Sequence, residues 1–285
     1  MNDQSKQKDH MEWLKPLSPR LKEETKPEDK LIKKAFFAIS PVIIYILYVG
    51  ILTETAQIIL GRIADSSEEY ARFISANKTV INAVIRAAVI FIATAAQIPA
   101  LRGEKPVIIS NDGNLARYLK TVCLGVSSAL TLNVLFGITG FTGSSETYEK
   151  VADKQFALPI ALGIVLYGLI SPLAEEVVFR GLVYNRMRRN EMQVIFAMVM
   201  SSMLFGAYHF NMVQALYGTL MGLIIVWTYE RYGGFLYPVL FHAAANVVVY
   251  ILSSTDLMNK IMTPVTVIIT GAITTSLIIL MIKEK

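Results

Sequence analysis

The chain has 285 residues, 54% of them hydrophobic and only 17% charged, with a mean hydropathy of +0.48 and a formal net charge of +5. A soluble globular domain carries about 25% charged residues, and the shortfall deepens along the chain, because nine of the 27 basic and seven of the 22 acidic residues fall in the first 34 positions. An ordinary soluble domain is thereby excluded. The single cysteine, Cys123, rules out a disulfide framework and a multi-cysteine metal site.

Residues 1–34 are rich in Lys and Glu, hold three prolines and show little apolar periodicity, so they are expected to form a mobile cytoplasmic tail distinct from a helical membrane domain over 35–285. The tail does not read as a secretory signal, since the apolar run that follows it continues for a full span. From there the hydropathy predicts an all-α polytopic membrane protein with about eight transmembrane helices, near 35–60, 79–101, 117–138, 156–180, 192–210, 213–229, 235–253 and 261–282. An even number of spans puts both termini on one side. Twenty basic residues lie on that side and six on the other, with Arg86 left inside a span, so the positive-inside rule sets both termini in the cytoplasm. Loop charge also accounts for the pI of about 9.1, and no nucleic-acid partner is expected.

Ionisable residues inside spans are costly, about 2.5–3.5 kcal/mol each at mid-bilayer, and so usually face a partner or a water-filled cavity. The fourth span carries Ser171-Pro172-Leu173-Ala174-Glu175-Glu176-Val177-Val178-Phe179-Arg180-Gly181. On a helix Glu176 and Arg180 are four apart and can pair, whereas Glu175 points about 100° away and is left poised for general acid or base work. Pro172 predicts a kink or restart of the helix just before the glutamates. Phe205 and His209 end the fifth span, and the seventh carries His242 and Asn246 on one helix face with three alanines between them. Taken singly, each of these features is as well explained by interhelical hydrogen bonding as by function. Their joint occurrence on three spans is what points to a site. His209 comes late in its span, so it can join the others only if the fifth helix starts well out in the cytoplasm or is strongly tilted. Glu54 and Arg86 lie at matching depths of the first two spans and are expected to form an ion pair. Gln57, Gln97 and Asn133 read as interhelical glue.

Glu175-Glu176-x-x-x-Arg180, Phe205-x-x-x-His209 and His242-x-x-x-Asn246, in this order and separation, resemble the three motifs of the CPBP (Abi) family of intramembrane proteases, which includes the type II CAAX prenyl endopeptidases. The resemblance covers about residues 157–250; the tail and first three spans carry no matching motif. It implies an endopeptidase acting on membrane-associated or lipid-modified proteins or peptides, in the plasma membrane of a bacterium. Carried over residue by residue, Glu175 would activate water with help from His209, His242 and Asn246 would stabilise the oxyanion, and Glu176 with Arg180 would support them. No cofactor is favoured. Zinc held by Glu175, His209 and His242 is the alternative, opposed by the poor ligand character of Asn246 and by the lack of an H-E-x-x-H spacing. Two other classes remain open: a catalytically silent scaffold or bacteriocin-immunity protein of the same fold, and a proton-coupled transporter.

Overall fold

A computed structural model describes residues 27–104 and 114–284, with side chains from residue 32 onward. Most of the expected tail, with Lys105 and Lys285 of the charge count, lies outside the described residues. The described chain is helical with no strand. Helix α1 (Pro27–Ser66) leads through the short surface helix α2 (Glu68–Ala76), capped by Ser67, whose hydroxyl accepts from Glu69 N–H at 3.1 Å, to α3 (Lys78–Ala95). Then come α4 (Leu115–Ile138), the amphipathic α5 (Glu146–Phe156), α6 (Ile160–Arg189), α7 (Val194–Ala207), α8 (Met212–Tyr232), α9 (Leu236–Ser254) and α10 (Pro264–Lys283).

Seven described helices are long and apolar enough to cross a membrane, and large apolar side chains such as Phe91, Ile195 and Ile268 are left exposed on the surface. The chain is an integral, multi-pass membrane protein. The expected fifth span is the exception: α7 has 14 residues, about 21 Å at 1.5 Å per residue, short of a ~30 Å hydrocarbon core. The fourth span is longer than predicted. It continues to Arg189, and Arg186, expected in a loop, is buried against Glu104 at 2.9 Å.

Helix α6 is central and touches α1, α3, α7 and α9, while α4 is packed between α9 and α10 and α7 pairs with α8 as a hairpin. Two prolines organise this centre through the hydrogen bonds they cannot make. Pro41 leaves the carbonyl of Phe37 without its helical donor; that oxygen takes Ser40 Oγ at 3.0 Å and Arg186 Nη1 at 2.9 Å, which ties α1 to α6. Pro172 does not make α6 restart, one of the two outcomes expected of it. The helix runs on through it, because residues Ile164–Ile170 and Val177–Tyr184 adopt the wider π-helical pairing on either side of Ser171–Glu176. Ser171 N–H reaches back five residues to Leu166 O. In that register the next carbonyl, Tyr167 O, would await the amide proton that Pro172 lacks.

Helices in lipid gain little from apolar burial against one another, so close approach through small residues matters more. A methyl group on Gly206 of α7 would lie 2.2 Å from Ala215 O and 2.4 Å from Thr219 Oγ1 of α8. Gly206→Ala is therefore expected to destabilise the protein by about 1–3 kcal/mol, whereas Gly61→Ala, with nothing within 4 Å, should not. Thermal unfolding of both variants in detergent checks this.

Candidate active site

Successive glutamates on α6 are sent to different surroundings. Glu176 turns into the protein and is fully buried; its Oε1 accepts from Arg180 Nη1 at 3.0 Å, one helical turn on. Arg180 is itself buried, with Nη2 donating to Gly222 O of α8 at 3.0 Å and its guanidinium 4.8 Å from the centre of the Phe205 ring. The predicted Glu176–Arg180 pair is thus present, and it also clamps α6 to the α7–α8 hairpin. Glu175 faces the other way, into a cavity of about 480 Å³ also lined by His209, His242, Asn246, Tyr208 and Arg86.

The structure brings His209 and His242 to the same place. Both rings lie edge-on to Phe205, with centroids 5.3 and 5.5 Å from it. His209 follows directly on the 14-residue α7, whose end lies beside the other groups of the cavity. The Nδ1 of His209 donates to Phe205 O at 3.0 Å, leaving Nε2 as the free ring nitrogen. His242 lies between the two glutamates. Its Nδ1 donates to Glu176 Oε1 at 2.7 Å and its Nε2 is 3.6 Å from Glu175 Oε2. Glu175 therefore has a neighbour that helix spacing alone could not show, since His242 is 67 positions further along the chain. Asn246 lines the cavity one turn beyond His242 and donates from Nδ2 to Tyr167 O at 3.0 Å, filling the hydrogen-bond vacancy that Pro172 leaves in α6. One of its two amide hydrogens remains available.

Three further features were not read as part of the site. Tyr208 packs on Tyr45 of α1, ring centroids 6.0 Å apart, and joins the cavity wall; its position beside His209 was the only signal. The cavity extends away from Glu175 to the underside of α5, where Tyr148, Ala152 and Gln155 line it. Arg86 lines it as well, and the expected ion pair with Glu54 is not formed; the guanidinium instead lies 5.7 Å from the centre of the Tyr167 ring. The glue residues behave as predicted: Gln57 bonds Asn82 at 3.1 Å, Gln97 bonds Pro41 O at 3.1 Å and Asn133 bonds Tyr217 at 3.1 Å. The donors that zinc would require do not fit the ion as they stand. Among the described residues no three His, Cys, Asp or Glu side chains gather to hold a metal.

Fold and cavity together define a polytopic all-α membrane protein with an intramembrane chamber walled by carboxylate, imidazole and amide. Residues 157–248 match the family described as type II CAAX prenyl endopeptidase Rce1-like, and this segment holds all three motifs. The resemblance drawn from the motifs is thereby borne out. The chain is 24% identical over 133 residues to "Putative membrane peptidase YdiL" of Bacillus subtilis (strain 168), an overlap of 47% of this chain and 53% of that protein. It is 27% identical over 130 residues to "UPF0177 protein YxdF" of Lactococcus lactis subsp. lactis (strain IL1403), covering 45% of this chain and 64% of that protein. The chain thus spans less than two thirds of the length of either relative. No solved structure matches it significantly.

Removing one partner of a buried ion pair leaves an uncompensated charge and typically costs about 3–5 kcal/mol, whereas replacing both by apolar groups is far milder. Arg180→Met should therefore lower thermal stability in detergent by about that much, and adding Glu176→Leu should restore a large part of it. A double variant no more stable than Arg180→Met would contradict the pairing.

Proposed function

We propose that this protein is an intramembrane endopeptidase that hydrolyses membrane-associated or lipid-modified peptides by a glutamate-activated water, without a resident metal. The observation that carries the proposal is the convergence of Glu175 from α6, His209 from the turn after α7, and His242 and Asn246 from α9 on one cavity. It is supported by the Rce1-like match over the same segment and by the peptidase name of the Bacillus relative.

In the proposed reaction, Glu175 accepts a proton from water as the hydroxide adds to the scissile carbonyl carbon. His209, anchored through Nδ1 with Nε2 free, assists that transfer. Negative charge then develops on the carbonyl oxygen, and preoriented donors in a water-poor site stabilise such charge strongly. His242 is oriented by Glu176 so that Nε2 faces the chamber; carrying a proton, it donates to the oxyanion alongside the second amide hydrogen of Asn246. Collapse breaks the C–N bond, and the proton held by Glu175 passes to the leaving amine. Glu176 and Arg180 take no proton in this scheme and act by positioning His242 and the α7–α8 hairpin.

Loss of a general base costs about 10²–10⁴ in rate. Glu175→Gln and His209→Ala are each expected to reduce cleavage of a quenched fluorescent peptide bearing a farnesylated cysteine near its C-terminus by at least about 100-fold, with thermal stability little changed. Cleavage should survive exhaustive chelation. Stoichiometric zinc that restores lost activity would overturn the metal-free scheme, and a cellular phenotype that survives both substitutions would favour a scaffold.

We further propose that both termini face the cytoplasm, which puts the cavity end beneath α5 on the opposite side. With Cys123→Ser as background, Ser144→Cys should react with a membrane-impermeant maleimide added to intact cells, and Lys33→Cys should react only after lysis. The reverse pattern would invert the orientation.

A further inference from the structure

Arg86 of α3 is a cation within a membrane span, where such a charge normally has a partner. The other deeply placed arginines conform: Arg180 and Arg186 each have a glutamate oxygen within 3.0 Å. Arg86 does not. Among the described residues no carboxylate lies within 4.0 Å of it, and its guanidinium lies 5.7 Å from the centre of the Tyr167 ring, a distance typical of a cation–π contact of modest strength. It is exposed, and it lines the cavity that also holds Glu175. The guanidinium therefore keeps its hydrogen-bond donors unspent in the chamber where substrate would sit, and its planar fork matches a carboxylate.

A substrate carboxylate entering this chamber would be repelled by Glu175 unless a cation received it. We propose that Arg86 is a specificity-determining residue that anchors a carboxylate of the substrate, supplied by its free C-terminus or by an acidic side chain near it, and thereby sets which peptide bond reaches Glu175. The inference rests on the endopeptidase function proposed above but concerns binding, so the two can fail separately.

The test uses the full-length protein in nanodiscs and three forms of the farnesylated fluorescent peptide: free acid, C-terminal amide, and an amide ending in glutamate. A hydrogen-bonded charge contact is worth about 1.5–3 kcal/mol, or about 10- to 100-fold. The free acid should be preferred over the plain amide by that factor, chiefly in KM; recovery with the glutamate amide would identify a side-chain carboxylate as sufficient, and its failure would identify the C-terminus itself. Arg86→Gln should collapse the difference between acid and amide, and Arg86→Lys should retain part of it. Binding of the same peptides to the Glu175→Gln variant, followed by fluorescence anisotropy, reads the preference without turnover, so an acid preference lost in Glu175→Gln/Arg86→Gln supports the anchor even if no peptide is cleaved. Equal handling of acid and amide by the protein with Arg86 intact, in binding and turnover alike, overturns the proposal, as does an Arg86→Gln loss that falls equally on both.

Discussion

The buried contact between Glu176 and Arg180 is the constraint on which the rest of the site depends. A carboxylate and a guanidinium removed from water are tolerable only together and only with further hydrogen bonds. The pair recruits those bonds from two other helices: Gly222 O of α8 for the arginine and His242 Nδ1 of α9 for the glutamate. Electrostatic necessity thus gathers α6, α8 and α9 around one point. The imidazole of His242 is oriented as a consequence, and Glu175, one residue from Glu176, is turned to the cavity face, where Nε2 of the same imidazole lies 3.6 Å away.

A second constraint is the absence of water to satisfy stray backbone groups in a membrane. Pro41 and Pro172 each leave a carbonyl in need of a donor, and the donors come from elsewhere in the fold: Arg186 for Phe37 O and Asn246 for Tyr167 O. The second case links local irregularity to the chamber directly. The π-helical stretches keep α6 continuous around Pro172 while the vacant oxygen draws Asn246 into place beside His242. Such π segments are frequent at functional sites, and here the reason is specific. Asn246 is held by a defect in one helix and presents its remaining hydrogen to the cavity.

Much of this was legible in the sequence where the signal was local. Span positions followed from apolar run length, the Glu176–Arg180 pair from spacing of four, and the shared face of His242 and Asn246 from the same periodicity. What escaped were the contacts between residues distant in the chain. Glu54 and Arg86 matched in depth along the sequence, and depth alone does not make two side chains meet. Arg186 looked like a loop cation because nothing near it in sequence announces Glu104, 82 positions earlier, as its partner. The length of α7 was overestimated because the apolar composition runs past Ala207 to Phe210, although Phe210 has a φ of 55° and no longer belongs to the helix.

The scarcity of charge that marks this chain as a membrane protein also made its few intramembrane charges conspicuous, and so the sequence by itself determined the class of protein, the span order and the residues to watch. Tertiary structure alone decided which of them meet. Helix periodicity specifies relative angle along one helix, but the rotation of one helix against another is set by packing, here by Gly206 against α8 and by hydrogen bonds drawn to orphaned carbonyls. Those long-range contacts turned Arg86 from half of a supposed ion pair into a bare cation facing Glu175's chamber, and turned His242 from one histidine on an apolar helix into the link between two glutamates.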